Sequence, residues 1–219
     1  MNMNKTENVN KHAELLFDRF PELRADSENF HYIYSILKNL FVKRKTLFIC
    51  GNGGSASDGE HITGELLKSF ILKRQHTEEV KAAFEKELGE ENILDKLQPG
   101  LRAISLNNHQ SLSSAYINDV DPLMVYAQQL FVLAEKGDVL LGISTSGNAK
   151  NIYNAFKVAR ACGITTILMT GQNHGLCEKY ADAILRAPSM TTYRIQEYHL
   201  PMYHTLCMML EEEFYGEEK

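Results

Sequence analysis

The chain opens with two stretches whose apolar residues recur at helical spacing. Residues 5–20 carry Leu15, Leu16, Phe17 and Phe20, and residues 27–42 carry Phe30, Ile33, Tyr34, Leu37 and Phe41. That period predicts a pair of amphipathic helices ahead of any sheet. Five short apolar runs follow: TLFICG (46–51), LRAISL (101–106), DVLLGIS (138–144), TTILMTG (165–171) and AILRAP (183–188). Each run is continuous rather than alternating, the pattern of a strand covered on both faces. Helical patterns separate most of the runs, notably 122–135 and 148–161, and a long one closes the chain over 193–215. Strand and helix alternating in this way predict an α/β fold with a parallel sheet and right-handed crossovers. At 219 residues, 44% of them hydrophobic, the expectation is one domain over 1–219.

One segment interrupts the alternation. Residues 71–100 (ILKRQHTEEVKAAFEKELGEENILDKLQPG) stand between the first run's helix and the second run. They are rich in charge, with a helical patch at 78–88. The plain reading is a solvated surface excursion. The functional reading is a lid or a subunit contact.

Charge narrows the partners. The net charge is −5 and no basic block is present, which argues against a nucleic-acid groove. An anionic small molecule stays open, because backbone N–H groups hold phosphate without Lys or Arg. Cys50, Cys162, Cys177 and Cys207 form no C-x-x-C pair, and they read as reduced thiols of a cytoplasmic protein. The N-terminal stretch has no apolar segment of the signal-peptide kind, and no apolar run approaches the ~18 residues that span a membrane.

Two loops carry candidate chemistry. Gly51-Asn52-Gly53-Gly54-Ser55 follows the first apolar run directly. Its glycines permit positive φ and a close approach of backbone to ligand. Ser55 stands where a helix N-cap belongs, at the positive end of a helix. Ser144-Thr145-Ser146-Gly147-Asn148 follows the third run, with three hydroxyls before a glycine and a new helix. In open α/β sheets ligands bind outside the carboxyl ends of the strands, where both loops are expected. Either loop alone is ordinary turn and capping chemistry; two at strand ends point to an anion. Neither matches the dinucleotide or Walker glycine motifs. Asn118 and Asp119 are weaker candidates, since both residue types are common in turns.

A second constellation is metal-like. His61 and Glu65 are i, i+4 and share one helix face just beyond the first loop. The stretch RIQEYHLPMYHTL adds Gln196, Glu197, His199 and His204. Zinc takes imidazole nitrogen and carboxylate oxygen. Gln196 and His204 are separated by about 12 Å of helical rise, so spacing alone makes Gln196 with His199 the closer pair. Pro201 weakens any spacing argument further.

GNGGSASDGEH, STSGN and RIQEYH together resemble the sugar isomerase (SIS) domain family, and within it the phosphoheptose isomerase branch. The likeness runs from the N-terminal helices to the last helix. It implies a flavodoxin-like αβα sandwich with a five-stranded parallel sheet, and a homotetramer with sites at subunit interfaces. It implies one zinc per subunit on His61, Glu65, Gln196 and His204. It also implies phosphosugar contacts at Asn52, Gly53, Gly54, Ser55, Asn118, Asp119, Ser144, Thr145, Ser146 and Gln196. Glu65 and His204 are the implied proton-transfer pair. Three positions depart from the branch: Tyr193 for Asp, Ala149 for Ser and Ser69 for Arg. These touch substrate handling more than the metal face.

The leading expectation is an aldose–ketose isomerase converting sedoheptulose 7-phosphate to D-glycero-D-manno-heptose 7-phosphate through an enediol. The alternative is a non-catalytic SIS protein that binds phosphosugars as a regulator or binds the replication initiator. Retention of both His61–Glu65 and Gln196–His204 favours the enzyme. An oligomer is expected on a further ground: the two N-terminal helices and the last helix carry more apolar residues than one sheet face buries.

Overall fold

The computed structural model describes residues 3–89 and 93–216. Two helices, α1 (Met3–Arg19) and α2 (Ser27–Val42), precede β1 (Leu47–Gly51). Next come α3 (Gly54–Leu67), α4 (Glu78–Leu88), β2 (Ala103–Ser105), α5 (Gln110–Asp119) and α6 (Val125–Leu133). The remainder is β3 (Val139–Ile143), α7 (Lys150–Ala161), β4 (Thr165–Thr170), β5 (Ala183–Arg186) and α8 (Thr192–Tyr215). All five expected strands form, each shortened at one end or both. Among the described residues no helix is long and apolar enough to cross a membrane.

The strands make one sheet in the order β2-β1-β3-β4-β5, parallel throughout. Register is set around β1: Leu47 pairs with Ala103 on one side and Val139 on the other. Asp138 supports that register, accepting the Thr46 N–H at 2.8 Å and the Glu135 N–H at 2.7 Å. The order reverses between β1 and β3, so the crevice beyond their carboxyl ends is the sheet's topological switch point. Both candidate loops leave from those two strands.

Two apolar layers cover the sheet. One joins β1 and β3 to α1, α2, α3 and α8 through residues such as Phe17, Phe30, Ile33, Ile49, Tyr203 and Leu206. The other joins the opposite face to α6 and α7 through Phe48, Leu130, Leu140 and Phe156. β1 and β3 are buried at every position, as continuous apolar runs predict. β2 and β5 alternate between buried and half-buried, because each is an edge strand less completely covered.

The apolar residues of the two N-terminal helices and the last helix divide between core and surface. The apolar residues of α1, α2 and α8 are largely consumed by the chain's own core, with Val9, Ala13, Leu16 and Phe17 buried together with Met209 and Leu210. Exposed apolar residues remain on these helices, Leu15, Tyr32, Val42 and Leu200 among them, and others lie on α5 and α6, where Phe131 and Val132 are each 66% exposed beside Leu112, Ile117 and Leu133.

The 71–100 excursion has two characters. Its helix α4 buries no residue, in keeping with a solvated face. Its root is fixed deep in the protein. Arg74 donates to the carbonyls of Glu65 (2.8 Å), Leu66 (2.8 Å) and Pro99 (3.2 Å) and pairs with Glu211 at 2.8 Å. Glu211 also accepts the N–H groups of Phe70, Ile71 and Leu72. One side chain thus closes the end of α3, both ends of the excursion and α8.

Candidate active site

The first loop turns sharply out of β1. Gly53 takes the cap position of α3 with φ of 55°, so Ser55 lies inside the first turn rather than at the N-cap expected for it. A left-handed glycine fits the cap where a serine would be strained. A side chain at Gly51 would collide with the Ser55 carbonyl, which makes that glycine obligatory as well. Ser55 is buried, while Asn52, Gly53 and Gly54 are exposed. Asn52 is anchored by reciprocal amide bonds to Asn151 (3.0 and 2.9 Å) and by the Tyr126 hydroxyl. These bonds tie the first loop to the first turn of α7, which the second loop introduces.

The second loop folds over the carboxyl end of β3. The Ser144 N–H bonds to Met169 O (2.9 Å), and Gly147, with φ of 65°, packs against Gly175. Ser144 is buried, Thr145 half-buried and Ser146 exposed. Thr145 and Ser146 line a cavity of about 410 Å³ together with Asn148, His174, Ser189 and Thr192. Ile195 of α8 forms another part of its wall. Behind His174, Glu178 accepts from His174 and Arg186 at 2.8 Å each and from the Gly175 N–H. Burial opposes its charge, but these donors win and hold the carboxyl down at about 2.

Asn118 and Asp119 are not part of this gathering. They sit exposed at the end of α5, and the Asn118 amide bonds to the Asp119 carboxylate at 2.8 Å rather than to either loop.

The metal-like residues do come together. His61 Nε2 is 3.2 Å from Glu65 Oε1. The His204 ring packs edge-on against His61 at 4.9 Å between centroids. Gln196 lies over Gly54, where an added Cβ would meet its amide. His199, the closer partner of Gln196 by spacing, points elsewhere: it is fully buried and its Nε2 faces Thr170 O at 3.3 Å. Burial pushes the His199 imidazole down to about 4. α8 runs unbroken through Pro201. It therefore serves both halves of the site, with its first turns at the cavity and the first loop, and His204 at the α3 face.

Three neighbours were not singled out from the sequence. Lys68 Nζ reaches Glu65 Oε2 at 3.1 Å. The Tyr203 hydroxyl meets His61 Nδ1 at 2.9 Å and Asp58 Oδ1 at 3.4 Å. Asp58, His61 and Glu65 follow an i, i+3, i+7 spacing on α3, a signal that the sequence does carry. Burial raises the Asp58 carboxyl, against the pull of the Tyr203 hydroxyl and of His61. Burial lowers the His204 imidazole, helped by His61 and opposed by Glu65.

Among the described residues no three His, Cys, Asp or Glu side chains lie arranged to hold an ion as they stand. The donor chemistry nevertheless fits one. The His61 imidazole meets both the Glu65 carboxylate and the His204 ring, and the Nε2 of His204 is buried with no hydrogen-bond partner.

A parallel sheet in this order, with hydroxyl-bearing loops at its switch point and acid–base side chains beside them, is an open α/β domain suited to a small anionic ligand. The SIS domain family model matches residues 91–171. The phosphoheptose isomerase of Helicobacter pylori strain HPAG1 is 39% identical over 168 residues, covering 77% of this chain and 75% of that protein. The phosphoheptose isomerase of Clostridium acetobutylicum is 35% identical over 191 residues, 87% of this chain and 85% of that protein. Among solved structures, phosphoheptose isomerase GmhA from Neisseria gonorrhoeae superposes with a TM-score of 0.71 at 26% identity, covering 94% of this chain and 98% of that one. The chain belongs to the phosphoheptose isomerase family.

Proposed function

We propose that this protein interconverts sedoheptulose 7-phosphate and D-glycero-D-manno-heptose 7-phosphate. The observation that carries the reading is the meeting of Glu65 and His61 on α3 with His204 on α8, next to loops suited to a phosphate. The phosphate sits at the switch point, on the hydroxyls of Ser55, Ser144, Thr145 and Ser146 and the N-terminal N–H groups of α3. Asn52, Gly53, Gly54 and Gln196 border the sugar. Asn118 and Asp119 take part only if another subunit's site receives them, since they stand away from this one.

Glu65 removes the proton from C1 of the ketose and returns it to C2. His204 moves a proton between O2 and O1, so that the C2 carbonyl becomes a hydroxyl and the C1 hydroxyl an aldehyde. The lowered His204 imidazole is neutral at neutral pH, with one N–H donor and one acceptor nitrogen, as such a two-way transfer requires. His61, Glu65, Gln196 and His204 are the residues that would hold a zinc ion. Such an ion supplies Lewis-acid stabilisation of the oxyanion. The exposed apolar face of α5 and α6 supports a homo-oligomer, with a tetramer as the expected state.

The regulator alternative has less support, because the full set of acid–base residues is present and assembled. The test is turnover of sedoheptulose 7-phosphate in deuterium oxide, followed by NMR. Aldose product carrying deuterium at C2 supports the reading. Neither product nor exchange with any ketose phosphate overturns it.

A further inference from the structure

The cavity between the second loop and the start of α8 offers donors and almost no charge. Ser146 Oγ accepts the Asn148 N–H and Ser189 Oγ the Thr191 N–H, at 3.2 Å each, so each hydroxyl keeps its proton for a ligand. Thr145 and Thr192 add two more hydroxyls. Among the described residues His174 is the one lining side chain that can carry charge. We propose that His174 is the cationic contact for the anionic end of the ligand, held to that task by Glu178 and Arg186.

The ring is oriented from one side only. Its Nδ1 lies 2.8 Å from Glu178 Oε2. An ionised carboxylate only accepts, so Nδ1 carries a proton. Arg186 donates to the same oxygen at 2.8 Å and stands farther from Nδ1, at 3.4 Å, as two donors sharing one acceptor do. The Gly175 N–H fills the other carboxylate oxygen at 2.9 Å. The second ring nitrogen, Nε2, has no hydrogen-bond partner among the described residues, on a side chain 86% exposed.

Charge decides what Nε2 does. Glu178 of the turn Leu176–Tyr180 and Arg186 of β5 cancel each other, and neither the second loop nor the start of α8 brings another titratable side chain to the cavity. A neutral imidazole would turn a lone pair outward, a poor match for an anion gathered among hydroxyl donors. A proton taken from solvent onto Nε2 makes both nitrogens donors and gives the cluster one positive charge. Glu178 on one side and a bound dianion on the other both favour that form. Ligand capture and proton uptake are therefore linked. That the anion is a sugar's phosphate rests on the isomerase reading above; the contact itself does not. In that reading His174 grips the end of the substrate remote from the reacting carbons, so it serves binding and not proton transfer.

The test has two arms. Sulfate is the probe in the first, because it is a tetrahedral dianion whose own charge stays constant near neutral pH. Its affinity is measured by calorimetry from about pH 5.5 to about pH 8.5, either side of the ordinary histidine value. The native protein should bind sulfate more weakly as the pH rises. His174→Gln, at an exposed position and with the urea midpoint little changed, should bind at least about 10-fold more weakly at the acid end and lose the pH dependence. Equal affinity and equal slope in the two proteins overturn the proposal, as does a native protein that takes up no sulfate. The second arm is turnover of sedoheptulose 7-phosphate. His174→Gln should raise KM with kcat kept, as loss of a contact made equally in the ground and transition states does. An unchanged KM, or a fall confined to kcat, also overturns the proposal. If the native protein turns over no ketose phosphate, the isomerase reading fails, and the sulfate arm still decides the contact.

Discussion

Replacing Glu211 by Ala should be among the most damaging single changes outside the site. The carboxylate is fully buried and accepts four bonds, from the N–H groups of Phe70 (2.8 Å), Ile71 (2.8 Å) and Leu72 (3.0 Å) and from Arg74 Nε (2.8 Å). Burial resists its ionisation, but these donors outweigh that and hold its pKa below the ordinary value. Summing four charge-assisted bonds overstates the effect, because such terms are not additive. The better guide is the orphaned partner: Arg74, with 1% of its side chain exposed, would be left as a buried cation. Breaking a buried pair from one side costs about 3–5 kcal/mol. Urea unfolding at a fixed protein concentration is the assay, since an oligomer's midpoint depends on concentration. The expected result is a lower midpoint with the slope kept. Arg74→Ala should cost a similar amount, and the double variant far less than the sum. A loss below about 1 kcal/mol in Glu211→Ala, the scale of an exposed pair, refutes the claim that this pair fastens the excursion to α8.

Three further outcomes are expected. Glu65→Gln keeps the side chain's shape but removes the base, so turnover in the NMR assay should fall at least ~100-fold while inorganic phosphate still binds; native-like turnover reassigns the base. Ser55→Ala and Ser144→Ala should each weaken phosphate binding by about 1–3 kcal/mol in calorimetric titration, and unchanged affinity in the double variant removes the phosphate from these loops. His199 has a folded pKa of about 4 against an ordinary 6.5, so the unfolded chain binds the extra proton first. Its stabilisation is therefore complete above pH 6.5 and lost as the pH falls toward 4, on the order of 3 kcal/mol. Urea midpoints across that window should flatten in His199→Phe, and an unchanged slope would exonerate His199.

The parallel sheet was within reach of sequence reasoning because five continuous apolar runs separated by helical patterns predict strands covered on both faces, whereas the flavodoxin-like order came from the family resemblance. The two loops were legible for the same reason: glycine and hydroxyl residues follow a strand at a fixed place. Two kinds of information were not legible. The choice of His204 over His199 depends on how α8 is rotated against α3, and one helical pattern offers both faces until packing selects one. Spacing along a single helix favoured His199, which the sheet claimed through Thr170 O. The contacts of Tyr203 with Asp58 and His61 escaped for a related reason. A tyrosine beside a histidine reads as core, and its partners Asp58 and His61 arrive from a segment far away in the chain. The error over Ser55 was smaller: a serine at a loop's end reads as a cap, but Gly53 reaches positive φ two residues earlier and takes the position.

The single guanidinium at the root of the 71–100 excursion separates two kinds of inheritance. Pro99 O and the carbonyls that end α3 are held by Arg74, so the chain leaves and re-enters the domain at one fixed doorway. Whatever lies beyond it, including a helix that buries nothing, contributes little to the core's stability. Mutation can therefore lengthen, shorten or rewrite that stretch while the catalytic frame stays put, and closely similar cores can diverge in what they carry beyond that doorway. For the engineer the same doorway is a graft point. A foreign segment should be tolerated between residues 76 and 97 provided that Arg74, Glu211 and Pro99 are kept.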